Sequence, residues 1–403
     1  MGGGGSSHVG DLRTGARVLT VMHVLEALGA GCARHVTDLV THVDGVRHVV
    51  VVPPQRPGDE TDPQAAERMR AAGAEVHVVD MRRLPVHPRN AAAFVALRRL
   101  GAHVGPDVLH GHASIGGALA RLAAPPGAAV LWTPNGLMTA APVVAAERVL
   151  RRRTDVAVAV SPSERDLLVR LRIARPEQVV MIRNGIDVAP SADGPDLRAL
   201  AGVPPHARVV GMVARLAPQK APLDFVAAAR LVAEQLPDIH FVLIGDGRLA
   251  RDVDAAVAEW DTTDRFHRIP ALPGAARVLG QLDVFVLTSR YEGGPYAPLE
   301  AMREGTPVVL TDVVGARDTV SDGETGLLVR PGQPGQTAQA ILRLLTKQEL
   351  AAAIVKRSRD WLVEHCDVRR MAADHQALYE RLVRRHDRSD SGSGRRARPT
   401  SPT

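Results

Sequence analysis

The sequence is poor in aromatics, cysteine and lysine, and each shortage excludes something. Phe, Tyr and Trp together make up 3% of 403 residues. That leaves no series of rings on which unpaired bases stack, so no nucleic-acid partner is expected despite a formal charge of +6. Basic residues are also spread along the chain, apart from the runs Arg151–Arg153 and Arg395–Arg398. Cys32 and Cys366 are the two cysteines, too few for a disulfide framework or a zinc site, so a reducing, cytoplasmic setting without a metal is expected. No run of about 18 apolar residues occurs, and Met1–Gly10 has no apolar stretch of the signal-peptide kind, so neither a membrane span nor export is expected. Met1-Gly2 with Ser6 fits the loose myristoylation pattern, which any Gly-Ser stretch matches.

What is abundant points to a layered α/β protein. Hydrophobic residues reach 45%, and with so few rings the interior must be filled by Ala, Val, Leu and Ile. The length exceeds what one core usually serves, which predicts two α/β domains. Apolar runs at Val18–Met22, Val49–Val52, Glu75–Val79, Val108–His110, Ala129–Thr133 and Val156–Val160 read as strands, with helical stretches such as Ala33–Val43 between them. Prolines at 190, 195, 204 and 205 then interrupt the pattern around a short helical piece, Leu197–Ala201. Beyond them Val209–Val213, His240–Ile244, Val284–Thr288, Pro307–Thr311 and Gly326–Val329 read as a second set of strands, with Leu223–Glu234 as a helix. The expected division is a flexible segment 1–14, a first domain 15–190, a linker 191–206, a second domain 207–365, a helix 366–386 packing back on the first domain, and a disordered tail 387–403.

Three segments carry chemistry. In Tyr291-Glu292-Gly293-Gly294-Pro295-Tyr296-Ala297-Pro298-Leu299-Glu300 the loop after a strand offers backbone amides beside two carboxylates, with Glu300 placed in the first turn of a helix. In Gly211 through Lys220, Arg215 and Lys220 follow a strand as a fork-shaped and a point-like cation, suited to a diphosphate. Lys220, Lys347 and Lys356 are the only lysines among 50 basic residues, which makes the choice at 220 less accidental. A turn with capping carboxylates and a solvated loop are the plain alternatives. Gly29-Ala30-Gly31 opens a helix without the full dinucleotide glycine spacing. His110-Gly111-His112 either orients a substrate or forms a polar strand end, and Asp252-Val253-Asp254 is read as a solvated helix face.

Together these segments resemble the family 4 retaining glycosyltransferases, from about Arg17 to about Tyr379. The likeness also includes Asn184-Gly185-Ile186-Asp187, Ile244-Gly245-Asp246-Gly247 and Gly323-Glu324-Thr325-Gly326-Leu327. The resemblance implies two Rossmann-like domains facing a central cleft, the GT-B arrangement, with the acceptor gripped by the first and a nucleotide-sugar, most often a UDP-sugar, by the second. It implies that Arg215 and Lys220 bind the donor diphosphate, Glu300 the ribose, and Glu292 with the backbone of Gly294, Pro295 and Tyr296 the transferred sugar. Gly31 would face the phosphate, His112 and Asn135 would lie on the substrate side, and the base would sit near His267–Ile269, against Ile269. No metal or other cofactor is implied, and the anomeric configuration is kept. The acceptor is a sugar, a lipid-linked species or a small molecule, with peripheral membrane contact through Arg148 and Arg151–Arg153 as an option. Two departures stand out: Gly31-Cys32-Ala33-Arg34 replaces the usual Gly-Gly-Ala-Glu, and Asn135 stands where many members carry a histidine. Alternatives are an epimerase of the same fold and a non-catalytic sugar-nucleotide binder.

Overall fold

Two parallel sheets carry the chain. The computed structural model describes residues 17–393 apart from 56–61, 63, 85, 192–193, 261–262 and 271. Met1–Gly10 with its acylation pattern, and the run Arg395–Arg398, lie outside the described residues. The first sheet contains β1 (Leu19–Val24), β2 (Val46–Val52), β3 (Glu75–Val78), β4 (Val108–His112), β5 (Ala129–Thr133), β6 (Val156–Ala159) and β7 (Val179–Met181), in the order β3-β2-β1-β4-β5-β6-β7. The second contains β8 (Arg208–Val213), β9 (Ile239–Ile244), β10 (Phe266–Ile269), β11 (Val284–Leu287), β12 (Val308–Thr311) and β13 (Leu327–Val329), in the order β10-β9-β8-β11-β12-β13. This is the GT-B fold. Both sheets reverse their strand order once, at β1/β4 and at β8/β11, and such switch points are where open α/β sheets bind ligands.

Helices cover both faces of each sheet, which is why most of the strands read as continuous apolar runs rather than alternating ones. The second half has a single core that joins Val209, Val210, Phe241, Val284, Phe285 and Val308 to Phe225 and Ile341 of its helices. β7 and β10 were not expected from sequence. β10 carries His267 and Arg268 and gives no apolar run, while β7 is apolar, Val-Val-Met, but only three residues long at a sheet edge.

The last helix, Val368–Ser393, returns to the first half. Its Val368, Met371, Ala372, Leu378, Tyr379 and Leu382 complete the core formed by Val21, Val108, Ala129, Leu131 and Val156. It does not end at 386 as expected. His386 Nε2 lies 3.4 Å from an Asp155 carboxylate oxygen and Arg384 pairs with Glu380 one turn back, so the helix is anchored beyond its apolar stripe and continues to Ser393. The chain crosses between the halves twice, side by side. Ile186 N donates to Cys366 O at 2.8 Å and Val368 N to Ile186 O at 3.0 Å. A Cβ at Gly185 would collide with the backbone of Asp367 and Val368, which accounts for the glycine in Asn184-Gly185-Ile186-Asp187.

Beneath the C-terminal ends of β1 and β4 lies a group of six imidazoles, His23, His35, His48, His110, His112 and His375, each with little or no surface in contact with solvent. Register explains the core of it: His23 is paired with His110, and His110 and His112 are two residues apart on one face of β4. Hydrogen bonds assign their tautomers. His48 Nε2 donates to Val43 O at 3.4 Å, so His48 Nδ1 accepts from His23 Nε2 at 3.1 Å, and His23 Nδ1 accepts from His112 Nε2 at 3.1 Å. His375 Nδ1 donates to Met371 O at 2.8 Å, and His110 bridges Tyr379 Oη and Thr133 Oγ1 at 3.0 and 2.8 Å. Burial is the leading cause that lowers the proton affinity of all six rings and holds them neutral, pulling His112 down to about 3 and His375 to about 4.

The consequence is an acid-sensitive first half. In the unfolded chain these rings take up protons near pH 6.5, while in the folded one they do not, so stability is complete above that pH and falls as pH drops. His112 and His375 alone cost ~2.7 kcal/mol per pH unit below about pH 6. Urea midpoints should decline steeply between pH 7.5 and pH 5, and His375→Gln should make the decline shallower. Equal midpoints across that range would contradict the neutral assignment.

Candidate functional site

The site begins with two helix ends. The helix Ala30–His42 follows β1 and the helix Tyr296–Glu304 follows β11, so each starts at the switch point of its own sheet. Their N-termini meet across the cleft: a Cβ placed on Gly31 would lie 3.5 Å from the Tyr296 ring. Neither Gly29 nor Pro295, the residues preceding these helices, makes a side-chain cap, and neither helix has an acid in its first turn. Both ends carry the partial positive charge of unpaired N–H groups. Two such ends facing one another favour an anion between them.

The second half supplies charged side chains beside this gap. Lys220 Nζ lies 2.5 Å from Glu292 Oε1, which also accepts from Ser289 Oγ at 2.5 Å. Lys220 is half-buried and Glu292 buried. The loop that holds them is tied down: Thr288 Oγ1 donates to Ala221 O at 2.9 Å, Gln219 Nε2 to Tyr291 O at 3.1 Å, and Arg290 N to Gln219 O at 2.7 Å. Arg215 reaches Gln219 Oε1 at 3.2 Å from the end of β8. Glu300 faces the first half, where Arg34 Nη1 lies 3.3 Å from its Oε1, and Arg34 Nε donates to Asp38 at 2.7 Å. Burial pushes the Glu300 carboxyl above the ordinary range, against the pull of Arg34 and Arg303.

Where the halves touch, side chains are absent by necessity. Gly293 packs on Gly136, and a Cβ at Gly293 would collide with the Asn135 and Gly136 backbone. Asn184 Nδ2 donates to Gly294 O at 2.8 Å, giving the Asn-Gly-Ile-Asp segment a direct hold on the backbone of the glycine-rich loop next to Pro295. Gly136 N and Val160 N donate to opposite oxygens of the buried Glu164, both at 2.9 Å. Asn135 has φ 53°, a left-handed conformation that Asn tolerates better than most residues. Its amide lies 3.9 Å from Cys32 Sγ, and burial pushes that thiol up to about 12.

Most of the expected residues therefore line one cleft, with corrections. His112 does not face it: the ring is buried within the imidazole group, because β4 lies between β1 and β5 under two helices. Glu300 is the fifth residue of its helix and lies just past the first turn, not within it. Ile269 ends β10, where its carbonyl accepts from Gly245 N at 2.9 Å. Asp254 is exposed and forms two bonds to Arg268, at 2.5 and 2.8 Å. Sequence reasoning missed the partnership of Lys220 with Glu292 and that of Arg34 with Glu300, which join residues 72 and 266 positions apart. It also missed that the ring nitrogens of His23, His110 and His112 come within 4.8 Å of one another, close enough to hold a metal ion. Cysteine count and Asp-x-Asp spacing say nothing of histidines gathered by sheet register.

The fold and this cleft define a glycosyltransferase. Residues 29–190 match the model of Glycosyltransferase Family 4 and residues 195–361 that of Glycosyl transferases group 1. The chain belongs to glycosyltransferase family 4. It is 34% identical over 212 residues to a 2-deoxystreptamine glucosyltransferase of Streptomyces kanamyceticus, covering 49% of this chain and about half (55%) of that protein. It is 25% identical over 312 residues to the Escherichia coli UDP-Gal:alpha-D-GlcNAc-diphosphoundecaprenol alpha-1,3-galactosyltransferase, covering 73% and 80% of the two chains. Among solved structures, Anabaena HepE in complex with UDP and glucose superposes with a TM-score of 0.76 at 17% identity, over 90% of this chain and 99% of that one. Among the described residues no helix is long and apolar enough to cross a membrane.

The glycine contact yields a prediction. Gly293→Ala should force the halves apart, costing ~1–3 kcal/mol of the closed arrangement, lowering turnover and enlarging the radius of gyration in solution scattering. Gly335→Ala, where a Cβ meets nothing within 4 Å, is the control and should change neither. An unaltered Gly293→Ala enzyme would show that the contact is dispensable.

Proposed function

We propose that the enzyme transfers a sugar from a nucleoside-diphosphate donor, UDP being the first choice, to a sugar, lipid-linked or small-molecule acceptor held by the first half. The observation that carries this reading is the pair of uncapped helix N-termini facing one another beside Arg215 and Lys220. A diphosphate placed there meets main-chain amides from both halves and two cations from the second. Those groups stabilise the negative charge that builds on the leaving phosphate as the glycosidic bond breaks. Names of similar proteins add support: HepE was solved with UDP, and the Escherichia coli relative takes a UDP-sugar and a lipid-linked acceptor.

In this reading Glu300 accepts the ribose hydroxyls. Lys220 is shared between Glu292 and the diphosphate, and Glu292 with the Gly294 to Tyr296 backbone orients the sugar. Transfer keeps the anomeric configuration and uses no metal, since the cations already present match the charge of the leaving group. Neither Asn135, an amide, nor Cys32, a thiol held protonated, can take the acceptor's proton. With Glu292 engaged by Lys220 and Ser289, the departing phosphate oxygen is left to take that proton.

Calorimetric titration of UDP, GDP, ADP and dTDP tests the donor site. One of the four should bind to the wild type and weaken in Lys220→Ala, and turnover with the matching sugar conjugate should fall on the order of 10²–10³-fold in that variant. Binding of none would remove the donor assignment. Formation of a new sugar epimer without any acceptor would favour the epimerase alternative.

A further inference from the structure

The helix Ala30–His42 carries its first cation where a cation is least favoured. Arg34 stands close to the positive end of that helix, which has no acid in its first turn. Two carboxylates offset it, Asp38 on the same helix at 2.7 Å through Nε and Glu300 across the cleft at 3.3 Å through Nη1. The guanidinium carbon also lies 5.8 Å from the centre of the Tyr296 ring. The group is thus placed at the mouth of both helix ends, with its side chain 36% exposed, while its partner Glu300 is the carboxylate assigned to the ribose.

We infer that Arg34 is a positioning residue for the donor, a cation contributed by the first half that exchanges Glu300 for the donor's phosphates. This rests on the proposed donor reading. When the ribose hydroxyls occupy Glu300, Arg34 loses its partner across the cleft but keeps Asp38 through Nε. Its two terminal nitrogens are then released next to the gap between the helix ends, and a guanidinium binds phosphate through two parallel hydrogen bonds. The same side chain therefore opposes the binding of a nucleoside, by occupying Glu300, and assists the binding of a nucleoside diphosphate. A residue acting only on the fold would move both affinities in one direction.

The test uses the full chain and whichever of UDP, GDP, ADP and dTDP binds the wild type, together with the corresponding nucleoside. In Arg34→Ala the diphosphate should bind on the order of 10-fold more weakly, and the nucleoside equally or more tightly. Arg34→Lys should restore part of the diphosphate affinity. Asp38→Asn, which removes the other bridge and leaves the cleft contact in place, should change the ratio of the two affinities little. Parallel losses for both ligands in Arg34→Ala would overturn the inference, as would wild-type diphosphate affinity in Arg34→Ala alongside a loss in Lys220→Ala. If the wild type binds no nucleotide, the donor reading itself falls and takes this inference with it.

Discussion

Two positive helix ends brought face to face, with no acid capping either, set the terms for the rest of the molecule. Each parallel sheet delivers one such end at its switch point, and the halves must approach until Gly31 meets the Tyr296 ring and Gly293 meets Gly136. That closeness excludes side chains at the contact. It also demands an anion, and in the protein alone the nearby negative charge is borrowed from Glu292 and Glu300, held by Lys220 and Arg34. Lys220 and Arg34 are thus engaged by carboxylates, and in the proposed reading binding becomes an exchange of partners. Such an exchange avoids leaving a buried charge unpaired, which would be the costlier route.

Much of the fold was legible in the sequence because parallel strands buried on both faces announce themselves as apolar runs. β1, β2, β4, β5, β8 and β11 could each be located that way, and the glycine-rich loop after β11 could be placed between a strand and a helix from composition. What could not be read is whatever depends on register or on contacts between the halves. His112 was expected on the substrate side or as a polar strand end, and only its contact with His23 of β1, inside a group closed by His375 of the last helix, shows it turned inward. Arg34 looked like a departure from a family pattern, and only the position of Glu300 gives it a partner. β10 escaped notice because an edge strand of Phe-His-Arg-Ile has no apolar signature.

Asn135 illustrates how backbone and chemistry constrain one position together. Its φ of 53° narrows the choice of residue to those that tolerate a left-handed turn, and the following Gly136 spends its amide on Glu164 and its open face on Gly293. The loop is therefore shaped for contact between the halves. An amide at its tip satisfies that shape and adds a neutral hydrogen-bonding group near Cys32.

The double crossing at Ile186 and Cys366 has a consequence for how this protein can be recombined. Because the closing helix completes the core of the first half, the second half is an insertion held between two adjacent junctions and not a free C-terminal module. Exchanging it with that of a relative requires two coordinated cuts, one after Asn184-Gly185 and one before Val368, with glycine kept at 185. A single-junction chimaera would exchange Met371, Leu378 and Tyr379 along with the second half, leaving the first sheet to pack against a helix selected for a different partner.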